Sequence, residues 1–231
     1  MESAEVKLDF SRSQRLGFGE AVLCAQKSRA QIEEILDQAR AGDQPMLLTR
    51  LAAEKAAELA PGLNRLLDYD AVSETAFFMQ PTVTLAAAQV AVVTAGTSDA
   101  GAAREAIRTL EFNGLDSTAI FDVGVAGIWR LMDRIDEIKR HPVVIALAGM
   151  DAAMPTVLGG LVPGLLIAVP TSTGYGVALN GETAFAASLA SCAPGVLVCN
   201  IDNGYGAACA AIRALKAAGM ISASQSTAPA R

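Results

Sequence analysis

The chain has 231 residues, of which 52% are hydrophobic and 18% charged, and its net charge is −6 at neutral pH. With no basic cluster and no apolar run of the roughly 18 residues a membrane span needs, neither nucleic acid nor a membrane is expected as a partner. Met1 is followed by acidic and polar residues instead of a secretory leader, so a cytoplasmic protein acting on a small molecule is expected.

The apolar fraction and the 20 glycines predict more buried surface than a monomer of this size provides, and hence a homo-oligomer. Cys24, Cys192, Cys199 and Cys209 form no CxxC pair, and His141 is the single histidine. A zinc set is therefore not expected, and the thiols read as reduced.

Residues 8–22 are poor in periodicity and read as loop and short strand. Arg12, Arg15 and Glu20 within them read as a solvated charged face in preference to a phosphate site. Ser28 and Gln31 form a capping box ahead of a helix that carries Ile32, Ile35, Leu36 and Ala39 on one face and stops at Gly42. A short strand at 46–49, a helix over 51–59 ended by Pro61, and strands at 67–69 and 76–79 complete a small α/β domain, residues 1–87.

From Gln89 the rhythm becomes regular strand-helix alternation. Strands are predicted at 89–95, 116–123, 142–148, 165–170 and 195–201, with helices over 99–113, 126–140, 152–160, 181–191 and 205–218. This predicts a doubly wound parallel α/β sheet with helices on both faces, residues 88–221. The Ser/Ala/Pro-rich tail, 222–231, is expected to be disordered.

Open sheets of this kind build sites at the carboxyl ends of their strands, and five such ends carry polar or Gly-rich turns. The first is Gly96-Thr97-Ser98-Asp99, where Ser98 and Asp99 suit either a helix cap or an anion contact at a helix N-terminus. The second is DVGVAG, with Asp122 and with Gly124 allowing close approach to the backbone. The third is AGMDAAMP, where Asp151 follows a wholly apolar strand. Burial there is expected to raise its carboxyl pKa and suit it to proton transfer, with helix capping as the alternative role. The fourth, VPTSTGYG, carries Gly174 and Gly176, and the fifth, NIDNGYGA, carries Asn200.

LDFSRSQRLGF, VVTAGTSD, DVGVAG, the AGM-acid segment, VPTSTGYG and SCAPGVLVCNIDNGYGA together resemble the LarB family of pyridinium-3,5-biscarboxylic acid mononucleotide synthases, which act in nickel-pincer cofactor synthesis. The C-terminal half is also similar to the carboxyaminoimidazole ribonucleotide mutases of purine synthesis. The LarB resemblance implies carboxylation of nicotinic acid adenine dinucleotide at ring C5, with carbon dioxide or bicarbonate as co-substrate, and phosphoanhydride hydrolysis that releases AMP. It implies Cys192 as nucleophile, Asp151 as acid/base, and Ser98, Asp99, Asp122, Gly124, Arg130, Gly174, Gly176 and Asn200 as substrate contacts. It further implies magnesium, with ligands it does not specify, and an assembly as large as an octamer.

The chemistry suits these residue types. Addition of a thiolate at C4 turns an electron-poor pyridinium into a dihydropyridine whose C5 is a nucleophilic enamine carbon. Cys192 follows a helix, whose dipole disfavours a thiolate there. A fixed positive ring about 4 Å away, at an effective dielectric near 20, offsets this by about 4 kcal/mol.

Two departures from the family stand out: Asp151 where glutamate is usual, and Ile128-Trp129-Arg130 where Leu-His-Arg is usual. They leave open a purine-pathway carboxylase or mutase, or a non-catalytic nucleotide-binding relative. Because Cys192 precedes its strand while the other candidates follow theirs, six or seven residues at about 3.3 Å each place it roughly 20 Å from Asp151. Cys192 is therefore expected to serve a neighbouring subunit.

Overall fold

The computed structural model of the chain describes residues 6–80 and 85–221, so the disordered tail expected at 222–231 lies outside the described residues. The chain divides into two compact units, one built on residues up to Thr84 and the other on Leu85–Glu111 and Leu115–Ile221.

The first unit contains α1 (Arg12–Leu16), β1 (Ala21–Leu23), α2 (Arg29–Ala41), β2 (Met46–Thr49), α3 (Ala53–Glu58), α4 (Pro61–Asn64), β3 (Leu67–Asp70) and β4 (Thr75–Phe78). Its sheet runs β1-β2-β4-β3, with β1 parallel to β2 and β4 antiparallel to both of its neighbours. The Ser28/Gln31 capping box closes the start of α2 in both directions, and Ile32, Ile35, Leu36 and Ala39 form its buried face. The stretch expected as loop and short strand also holds a helical turn, α1. Arg15 donates from both terminal nitrogens to Asp9 at 3.0 and 2.7 Å, and Gly17 in the left-handed region (φ 79°) ends it. Pro61 does more than end a helix: it occupies the first turn of α4, where its missing N–H costs nothing.

The second unit contains β5 (Ala86–Thr94), α5 (Ala100–Phe112), β6 (Leu115–Ile120), α6 (Ile128–Ile138), β7 (Val143–Ala148), α7 (Ala153–Gly159), β8 (Leu165–Pro170), α8 (Glu182–Leu189), β9 (Leu197–Val198) and α9 (Gly204–Ala217). All pairings are parallel and the order is β6-β5-β7-β8-β9. The apolar run of β7 is buried throughout because it lies between β5 and β8. Leu131, Ile135 and Ile138 of α6 join Val93, Ile120, Val144 and Leu158 in the core.

Two strands are shorter than expected. β6 stops at Ile120, two residues ahead of Asp122, which takes a left-handed φ of 59°. β9 keeps only two residues, between a turn at Gly195 (φ 82°) and Asn200, whose Oδ1 accepts from the Ile201 N–H. The order reverses direction between β5 and β7, so the crevice in which doubly wound sheets take their ligands opens at the carboxyl ends of those two strands.

Candidate active site at the carboxyl edge of the parallel sheet

The turn after β5 is built around Asp99, only 3% exposed. Its Oδ2 accepts from the Gly96 N–H at 2.8 Å, and its Oδ1 accepts from the Thr171 hydroxyl at 2.6 Å. Both oxygens are thus engaged inside the protein, and Asp99 positions the turn. Ser98 stands exposed, and its carbonyl accepts from Thr173 Oγ1 at 3.4 Å. The segment after β8 therefore reaches across the end of β7 to the turn after β5. A Cβ on Gly149 would lie 2.8 Å from Thr171 Oγ1 and 2.7 Å from Thr173 Cβ, so this crossing requires glycine there.

After β6, the Asp122 N–H donates to Thr94 Oγ1 at 3.1 Å, and the Asp122 carboxylate accepts from Arg130 Nη1 at 2.5 Å. The two side chains expected to contact substrate are thus paired with each other, and both remain partly exposed. Glycine at Gly124 is required by the protein's own packing, since a Cβ there would stand 2.6 Å from the Ala95 carbonyl oxygen.

Asp151 corrects two expectations. It is exposed, not buried, and it caps nothing, because Ala152 occupies the position before α7. Among the described residues no hydrogen bond holds its carboxylate. Met150 and Ala152 on either side take left-handed φ of 55° and 48°.

The loop after β8 carries Gly174 (φ 138°), against which Ala178 Cβ and Met150 Sδ pack, and Gly176 (φ 58°), which faces open space. Asn200 is exposed and spends its side-chain oxygen on the local Ile201 N–H. Next to it, Asp202 accepts from the Ser172 N–H at 2.9 Å and ties the end of β9 to that of β8.

Cys192 is exposed on the turn before β9. Ser191 Oγ and Thr156 Oγ1 are hydrogen-bonded at 2.8 Å, and Ala193 sits where a Cβ on Gly159 would fall. The turn therefore lies along the second half of α7. Cys192 thus stands beside α7, the helix that begins two residues after Asp151.

Glu105 was not anticipated. It is buried on α5, and its Oε2 accepts from the Tyr205 N–H at 3.0 Å, fixing the start of α9 together with the Asn203 cap on the Gly206 N–H. The signal lay in its position on the buried stripe with Ala106 and Thr109.

Among the described residues no three His, Cys, Asp or Glu side chains converge to hold a metal. With Asp99 enclosed and Asp122 paired, the residues do not build a protein cage for magnesium.

These features define a doubly wound α/β protein with its topological switch point between β5 and β7. Residues 89–227 match the AIR carboxylase family model, and residues 2–80 match the model of the LarB/PurE-like N-terminal domain. The chain belongs to the LarB family, with a C-terminal domain of the PurE type. An uncharacterized protein of Methanocaldococcus jannaschii is 44% identical over 121 residues, 52% of this chain and 46% of that protein, so the chain aligns with about half the relative's length. A crystal structure of a PurE2 variant from Treponema denticola superposes with a TM-score of 0.47 at 20% identity, covering 55% of this chain and 79% of that one.

Proposed function

We propose that the chain is an enzyme that carboxylates the pyridinium ring of nicotinic acid adenine dinucleotide at C5 and cleaves its phosphoanhydride, giving pyridinium-3,5-biscarboxylic acid mononucleotide and AMP. One observation above all supports a reactive site at the strand ends. In the second unit, every described non-glycine residue with left-handed backbone, namely Asp122, Met150, Ala152, Leu179, Asn180 and Asp202, lies in the segments after β6, β7, β8 and β9. Each costs on the order of 1 kcal/mol or more, and such strain concentrates where a protein must present groups to a ligand.

In this reading the Cys192 thiolate adds to ring C4, and C5 of the resulting enamine attacks carbon dioxide. Asp151 then takes the C5 proton, and the electron pair returns to the ring and expels the thiolate. The free, exposed carboxylate of Asp151 suits this role. Arg130 exchanges its pairing with Asp122 for a pairing with the ligand's carboxylate or phosphate, and the exposed Ser98 hydroxyl faces the phosphates. Water completes the anhydride cleavage.

In this reading Cys192, which precedes its strand while Asp151 follows its own, is supplied by a neighbouring subunit, so the reading includes a homo-oligomer. Incubation with the dinucleotide, bicarbonate and magnesium, followed by mass analysis, tests it. A purine-pathway carboxylase or mutase is the second reading, supported by the AIR carboxylase match over residues 89–227. Trp129 weighs against it, since an indole, unlike the histidine that the resemblance leads one to expect at this position, neither takes up nor releases a proton near neutral pH.

A further inference from the structure

Trp129 is 65% exposed, although it is the single tryptophan of the chain and the largest apolar side chain in it. It occupies the first turn of α6, whose buried face is formed by Leu131, Ile135 and Ile138, and no packing role accounts for it. Phe121, Ile128 and Met132 on the same segment are exposed as well. The next residue is Arg130, whose guanidinium is held by Asp122, itself tied to the end of β5 through Thr94.

Three different chemistries are thus carried by the one segment that follows β6: a flat indole on Trp129 and, paired with each other, a carboxylate and a guanidinium. A cation attracts the face of an indole more strongly than that of any other aromatic side chain. A carboxylate nearby adds to that attraction, while a guanidinium pairs with an acidic substituent. The ligand that satisfies all three is a flat ring that is positively charged and bears a carboxylate. A neutral purine base satisfies only the first.

We infer that Trp129 stacks on the pyridinium ring of the substrate and makes this site selective for a cationic ring over a neutral base. The inference rests on the function proposed above and adds the residue that selects the ring. An indole does not titrate near neutral pH, so the part of Trp129 is binding and orientation.

The single tryptophan makes the test direct. The full chain is titrated with nicotinic acid mononucleotide and, separately, with AMP, following both tryptophan fluorescence and binding heat. Quenching by the pyridinium mononucleotide but not by AMP is expected. Trp129→Ala is expected to weaken the mononucleotide about fivefold or more while leaving AMP unaffected, and Trp129→Phe to recover part of the loss. Binding heat with no quenching and unchanged affinity in Trp129→Ala would overturn the inference while leaving the proposed function standing. So would a change confined to the mass of the assembly, which would make the indole a subunit contact. No binding of either mononucleotide or dinucleotide to the wild-type chain would overturn the proposed function and this inference with it.

Discussion

The hydroxyl of Thr171 donates to the enclosed carboxylate of Asp99 across 2.6 Å, joining the segment after β8 to the turn after β5 over the end of the intervening β7. Removing the donor strands a buried acceptor. Thr171→Val is therefore expected to cost about 1–3 kcal/mol of stability in chemical denaturation and to weaken ligand binding by loosening the Gly96–Ser98 turn. Gly149→Ala, which intrudes on the same crossing, is expected to do at least as much harm. Full stability and full binding in both variants would show that the crossing does not organise the site.

The four thiols differ sharply in environment. Burial pushes the Cys24 thiol up to about 12, against an ordinary value of 9.0, and it raises Cys199 as well. Cys192 is exposed. Alkylation of the native protein at pH 8, mapped by peptide mass, should modify Cys192 first and Cys24 last, and bound substrate should protect Cys192. Early labelling of Cys24, or no protection of Cys192 by substrate, would contradict this placement.

The first unit carries an acid-sensitive contact. The side-chain hydrogen bond from Arg15, with smaller help from Ser11 and Arg12, holds the Asp9 carboxyl down to about 2 from 3.8. A depressed folded value gives a contribution that is complete above the unfolded value and lost as pH falls through the folded one. The window is therefore about pH 4 to 2. Urea midpoints measured across it should fall more steeply for the native chain than for Asp9→Asn; identical slopes would mean that α1 does not depend on this pair.

Much of this architecture is readable in the sequence, and the exceptions have physical causes. The Ser28/Gln31 box and the apolar stripe behind it mark α2 because capping and periodicity are local. The uninterrupted run Val143–Ala148 marks a central strand because both of its faces are covered. Asp151 misled because a carboxylate after an apolar strand looks buried or capping, whereas the left-handed Met150 and Ala152 leave it exposed and give the cap position to Ala152. The burial of Asp99 was not legible for a different reason: its partner Thr171 is 72 residues away, and no local pattern reports such a pair. Strand spacing likewise does not report the docking of Ser191 on Thr156, which lays the Cys192 turn along α7.

That docking leads to a test of assembly. Cys192→Ala and Asp151→Ala are each expected to abolish turnover, while mixed oligomers of the two, after subunit exchange, should regain part of it, because some sites then receive both residues. No recovery in mixed oligomers verified by mass would mean that the thiol and the carboxylate act within one chain. Asp151→Asn alone should accumulate a cysteine-substrate adduct, since addition precedes proton removal, and normal turnover in that variant would remove Asp151 from the chemistry.

The central claim is the reaction itself. Purified protein is incubated with nicotinic acid adenine dinucleotide, isotopically labelled bicarbonate and magnesium, and the products are resolved by mass. The account predicts AMP together with a mononucleotide that has gained one labelled carboxylate, both lost in Cys192→Ala. A folded protein that yields neither product, or that instead carboxylates an aminoimidazole ribonucleotide, would contradict it.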